Sequence, residues 1–265
     1  MGNAPEMTRD GKAAPREIDE HLVSLLAPVS FEAEQYRMLA HAIELMHKDI
    51  GLHVLAVTSP TAGDGKTTTA INLAGTLAQA AESRILLVCM DLRKPSVMNH
   101  LRMAGPHTVG LVNAILDPAM TLNQAVTHLQ RFNLSVLPAG PSPADPYELL
   151  KSPRVGELLQ EACRQYQYVV LDTPPLLLVP DARLIGKWVD GFLMVVATHK
   201  TPRGLTEEAL NLIDPSKLLG LVFNNDDRPM QNDYYYYYRP GRHGTSQRQN
   251  WGRRLLTTLG RTFSS

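Results

Sequence analysis

Apolar positions in this chain follow two spacings that take turns. Between residues 31 and 48, Tyr36, Leu39, Ile43 and Met46 recur every three or four positions, which predicts an amphipathic helix with Ser30 as its N-cap. Residues 53–58 then form a short apolar run closed by proline and glycine, as a buried strand would. The exchange continues down the chain. Further strands are predicted at 85–89, 134–137, 168–171, 192–197 and 218–223, and helices at 66–81, 109–116, 155–165, 182–188 and 205–213. Strands that are apolar along their whole length and alternate with helices belong to a mostly parallel sheet covered on both faces. The pattern therefore predicts one α/β domain over residues 21–232, with a flexible leader (1–20) before it and a tail (233–265) after it.

Composition removes several function classes. With 265 residues, 44% of them hydrophobic, the chain can bury a full core and is not a disordered protein. Its two cysteines, Cys89 and Cys163, make neither a disulfide framework nor a zinc-ligand spacing. No apolar run approaches the length of a membrane span, and the charged N-terminal residues lack the apolar core of a signal peptide, so a cytoplasmic protein is expected. Twenty-six basic side chains balance 26 acidic ones, which speaks against a nucleic-acid partner. The balance conceals a segregation. From Tyr234 onward there are six arginines and no acid or lysine, so the rest of the chain carries −6. Charge set apart in this way marks a tail with its own partner.

Chemistry enters where the first strand meets the first core helix. Ala62, Gly63, Asp64, Gly65, Lys66, Thr67 and Thr68 lie between them, the context a P-loop requires. The two glycines let backbone N–H groups turn towards phosphate oxygens, Lys66 reaches the β- and γ-phosphates, and the Thr67 hydroxyl holds Mg²⁺. Pro60 stands where the strict pattern has its first glycine, and an ordinary glycine-rich turn is the plain alternative. Asp91 follows the strand at 85–89 and Asp172 the strand at 168–171, so both acids belong at the carboxyl edge of the sheet, where ligands of open α/β folds sit. Each is a candidate metal ligand. A helix cap for Asp172 and a turn for Asp91 are the bland alternatives.

These residues resemble the bacterial tyrosine kinases (BY-kinases) of capsule and exopolysaccharide operons, in their separately encoded cytoplasmic form. The resemblance covers about residues 21–238. Residues 62–67 are similar to that family's P-loop, Asp91-Leu92-Arg93-Lys94-Pro95 to its second Walker-like motif, and Asp172-Thr173-Pro174-Pro175 to its Walker B. Leu137-Pro138-Ala139-Gly140 and Glu148-Leu149-Leu150-Lys151-Ser152 are similar to its linking segment. The run Tyr234, Tyr235, Tyr236, Tyr237 and Tyr238 resembles its C-terminal phosphoacceptor cluster; neighbouring tyrosines cannot all face a core, which fits an exposed tail, while a fortuitous adhesive tract is the other reading.

The resemblance implies a P-loop NTPase fold and transfer of phosphate from MgATP to a tyrosine of a neighbouring subunit. Lys66, Asp91 and Asp172 are then catalytic, and Thr67, Asp91 and Asp172 hold Mg²⁺. Glu34 and Arg37 lie at a homo-oligomer interface, with a pair inside the helix as the plain alternative; Asn224 meets the adenine edge, or else only forms a turn; and a transmembrane chain-length partner acts as activator. Two positions depart from the family pattern: Cys89 replaces the first aspartate of the second motif, and Ala40 the last arginine of the E-x-x-R-x-x-R helix motif. A thiol is a poor Mg²⁺ ligand, so a nucleotide-gated scaffold without kinase activity is a rival reading. A partition-type ATPase is another, opposed by Thr61 where those proteins carry an additional lysine. In the tail, Trp251, Leu255, Leu259 and Phe263 recur every four residues among arginines. A helix of that kind lies on anionic membrane, and a disordered solubilising tail is the alternative.

Overall fold

A computed structural model of the chain describes residues 18–103 and 109–226. A short helix, Val23–Leu26 (α1), precedes the long helix Phe31–Ile50 (α2). The Ser30 side chain caps α2 by accepting from Ala33 N, acids occupy its first turn, Lys48 its last, and Gly51 ends it at φ +70°. Strand Val54–Thr58 (β1) leads through the P-loop into Lys66–Leu77 (α3), and Ile85–Cys89 (β2) follows. Three small helices come next, Val97–His100 (α4), Leu111–Leu116 (α5) and Leu122–Ala125 (α6), and then strands Thr127–Leu129 (β3) and Leu134–Leu137 (β4). Helices Pro146–Leu150 (α7) and Pro153–Gln165 (α8) lead to Tyr168–Asp172 (β5). Asp181–Ile185 (α9), Gly191–Ala197 (β6), Arg203–Leu210 (α10) and Leu218–Asn224 (β7) complete the described chain.

The seven strands form one sheet in the order β3-β4-β2-β5-β1-β6-β7. Every pairing is parallel except β3 with β4. β1, β2, β4, β5 and β6 are buried at every position, because helices cover both faces. The antiparallel strand β3 was not anticipated: it is three residues long, and only Leu129 of the three is apolar. Helix α3 stops at Leu77 rather than continuing to residue 81. The Asn133 side chain donates to the carbonyls of Ala78, Ala80 and Ser83, which gives them partners without further helical turns.

Strand order positions the chemistry. β2, β5 and β1 are adjacent, and the registers Cys89↔Asp172 and Val57↔Asp172 bring their carboxyl ends level. Buried Asn72 of α3 ties the N-terminal segment to this core: it accepts from Ser24 N and donates to His21 O, each at 2.9 Å. Asp19 docks beside it, with His100 Nδ1 at 2.7 Å and His21 Nδ1 at 2.9 Å from its carboxylate. Among the described residues no helix is long and apolar enough to cross a membrane.

Candidate nucleotide and metal site

The loop after β1 is built on two left-handed glycines, Gly63 at φ +79° and Gly65 at φ +93°, which L side chains adopt only under strain. Pro60 is not in that region, so the position tolerates proline. Asp64 is fully buried beneath the loop and accepts from Thr61 N at 2.9 Å and from the Thr201 hydroxyl at 2.8 Å. A carboxylate inside the loop thus fixes its curvature. Ala62 and Gly63 form its exposed tip, and α3 starts at Lys66 with its free N–H groups and dipole directed into the same space.

The three expected strand ends meet there. Lys66 Nζ lies 3.3 Å from Asp91 Oδ2 and 4.0 Å from Asp172 Oδ1. Thr67 Oγ1 is 2.9 Å from Asp172 Oδ2, and Ser96 Oγ is 3.1 Å from the same hydroxyl. Asp172 carbonyl oxygen accepts from Met90 N at 2.8 Å and Asp91 N at 3.1 Å, which pins the loop after β2 onto the end of β5. Asp91 Oδ1 accepts from Lys94 N at 2.9 Å and leaves Oδ2 to Lys66. Thr68 remains in the helix, its carbonyl accepting from Asn72.

Burial sets the electrostatics. Removal from water pushes the Asp172 carboxyl up to about 6, against the pull of Lys66 and the Thr67 bond, with Asp91 adding to the rise. Burial likewise holds the Cys89 thiol well above its ordinary value, and the Asp172 and Asp91 carboxylates push the same way. In the chain without a metal, burial thus keeps Cys89 a protonated thiol. The hard-metal donors that remain are one hydroxyl and two carboxylates on adjacent strands, a set that suits Mg²⁺ sharing its coordination with phosphate oxygens.

The remaining expected residues have partners of their own. Asn224, at the end of β7, donates to Asp64 O at 3.0 Å, and a Cβ on Gly65 would lie 2.0 Å from its Nδ2. Its amide braces the loop. Glu34 and Arg37, expected at an oligomer interface, pair with each other on α2 at 2.6 Å. Tyr234, Tyr235, Tyr236, Tyr237 and Tyr238 lie outside the described residues, as does the basic tail.

Sequence reading missed Ser96, Lys200 and Thr201, and also the Arg93–Asp181 pair, in which Nε and Nη2 reach one buried carboxylate at 2.7 and 3.0 Å. Pro95-Ser96 directly after the second motif was an available signal for Ser96. No local signal marks residues 200 and 201, which meet the loop across 137 residues of chain.

Known proteins are similar to this chain. The profile of the AAA domain family matches residues 52–185. The tyrosine-protein kinase YwqD of Bacillus subtilis (strain 168) is 36% identical over 222 residues, spanning 83% of this chain and 92% of that protein. The succinoglycan biosynthesis transport protein ExoP of Rhizobium meliloti (strain 1021) is 35% identical over 207 residues, 76% of this chain but 26% of ExoP. The crystal structure of the chimerical protein CapA2B2 superposes with a TM-score of 0.70 at 30% identity, covering 78% of this chain and 91% of that one. With a P-loop crevice of this geometry and a kinase relative matched over nearly its whole length, the chain belongs to the bacterial tyrosine-protein kinase family.

Proposed function

We propose that the chain is an ATP-dependent protein-tyrosine kinase of exopolysaccharide or capsule production that phosphorylates its own C-terminal tyrosines, 234–238. One observation carries the reading: Lys66 and Thr67 at the start of α3, Asp91 after β2 and Asp172 at the end of β5 converge in a family member. Residues 62–68 cradle the phosphates of ATP, and the Thr67 hydroxyl with Asp172 and Asp91 holds Mg²⁺. The bound cation supplies charge neutralisation on the phosphate oxygens. Lys66 places a fixed positive charge where the transferring group becomes most negative.

A tyrosine hydroxyl titrates near 10, so its proton needs an acceptor during transfer. Asp172 is sealed and bonded to Thr67, and Cys89 keeps its own proton. Asp91, whose Oδ2 faces Lys66, is left to take that proton, which requires its hold on Mg²⁺ to pass through water.

The remaining context belongs to the same proposal. A homo-oligomer presents each tail to a neighbour, and a separate transmembrane chain-length or co-polymerase protein activates the kinase at the inner face of the membrane. The name of ExoP, which ties a relative to polysaccharide transport, supports that setting. The basic tail contributes contact with anionic lipid.

Incubation of purified protein with MgATP, read by phosphotyrosine blot and mass spectrometry, tests the kinase. Phosphate on residues 234–238, absent from Lys66→Met, is expected. ATP hydrolysis without phosphotyrosine would favour a partition-type ATPase, and binding without turnover a scaffold.

A further inference from the structure

In a loop whose amide N–H groups converge on an anion, the carbonyls of the same peptides turn away and need partners of their own. Here two successive carbonyls have them. Lys200 Nζ donates to Gly63 O at 2.7 Å, and Asn224 Nδ2 donates to Asp64 O at 3.0 Å. Lys200 arrives on the turn between β6 and α10. His199, beside it, sits at φ +61°, a conformation that a non-glycine residue keeps only where the surroundings impose it. They do: Thr198 N donates to Asn224 O at 2.8 Å, Thr201 N to Ala197 O at 2.9 Å, and the Thr201 hydroxyl to Asp64 Oδ1 at 2.8 Å. The approach also needs glycine at 63, since a Cβ there would lie 2.7 Å from Lys200 Nζ.

Charge gives the turn a purpose. Asp91 and Asp172 line the crevice with Lys66 against both, and Asp64 is a third carboxylate buried beneath the loop. Mg²⁺ and Lys66 offset the two acids of the crevice, while the buried Asp64 beneath the loop leaves that side of the phosphate cradle in need of a cation of its own. From these contacts we infer that Lys200 is a second positioning lysine of the phosphate site. It holds the Gly63–Asp64 peptide from behind, polarises the Asp64 N–H towards the nucleotide, and offsets the buried acids with its own charge. Carbonyl and N–H belong to one peptide unit, so an ammonium on the oxygen strengthens the N–H as a donor. The inference rests on residues 62–68 being the phosphate cradle.

The test uses the full chain, with MgATP and MgADP binding measured by calorimetry and transfer by phosphotyrosine formation. Lys200→Met is expected to weaken MgATP binding and raise its KM about tenfold, through the withdrawal of one positive charge from behind the phosphate loop. Transfer at saturating ATP should stay close to that of the natural chain. Lys200→Arg should restore most of the affinity, and Lys200→Met should show a shallower dependence of ATP affinity on salt than the natural chain. Lys200→Gln serves as a second neutral variant.

Unchanged ATP affinity in both neutral variants would overturn the inference. So would equal losses in Lys200→Arg and Lys200→Met, which would mark the turn as merely structural. The kinase reading fails separately: if the natural chain binds MgATP without forming phosphotyrosine, the comparison of affinities still decides the role of Lys200.

Discussion

Cys89 lies buried beside the Asp91 and Asp172 carboxylates, which together with burial keep its thiol protonated. That thiol should resist iodoacetamide in the folded protein while half-buried Cys163 reacts first, as peptide mass spectrometry would record. Modification of Cys89 at the rate of Cys163 would contradict the buried, protonated thiol. The state of Cys89 was not legible in the sequence, since it depends on that burial, whereas Lys66, Thr67, Asp91 and Asp172 were, because each sits at a strand end or helix start that local pattern defines.

Asp172 makes a second prediction at this scale. Its folded value of about 6 lies above the ordinary 3.8, so the folded state holds this proton to higher pH than the unfolded chain does. Stability then falls as pH rises from about 4 to about 6 and levels off above, a loss on the order of 3 kcal/mol for a shift of this size. Asp172→Asn removes that loss. Without nucleotide or divalent cation, the variant should exceed the natural chain in urea resistance at pH 7.5, and the gap should shrink at pH 4. Its kinase activity should vanish. Parallel stability curves across this range would refute the assignment.

Elements were readable in proportion to their length and uniformity. β1, β2, β4, β5 and β6 are apolar runs buried on both faces, so hydrophobic pattern alone located them to within a residue or so. α1, α4, α6 and α7 escaped because four or five residues make barely one turn and show no period. The Arg93–Asp181 pair joins the loop after β2 to α9 across 88 residues, a tertiary link that no local pattern contains.

Helix packing gives the prediction at this scale. Gly156 in α8 faces the Trp188 ring, and a Cβ there would lie 2.2 Å from Cζ3 and 2.5 Å from Cη2. Helix propensity alone favours alanine at 156 by about 1 kcal/mol. Displacing an indole in a packed interface costs about 1–3 kcal/mol, so packing should win. Gly156→Ala is expected to lose about 1 kcal/mol net in urea unfolding, with an altered Trp188 emission. A stabilised variant would show that the ring moves freely and that α8 is not locked against it.

For the whole molecule, sheet order decides what can react with what. β7 ends beside the P-loop, where Asn224 bonds Asp64, and Tyr234 follows ten residues later in sequence. An extended chain spans no more than about 3.5 Å per residue, so those ten residues cover at most about 35 Å. Contour length therefore permits transfer within one chain as well as between chains, and order in concentration must separate them. Transfer within a chain proceeds at a fixed rate per molecule, whereas transfer between chains speeds up per molecule as protein concentration rises. If each tail is served by a neighbour, an active chain truncated after Asn232 should phosphorylate the tyrosines of full-length Lys66→Met, and the initial rate should scale with the product of the two concentrations. Label confined to catalytically intact full-length chains, at a rate per molecule independent of dilution in a preparation shown to be monomeric, would mean that each subunit serves its own tail and that an oligomer is not needed for the reaction.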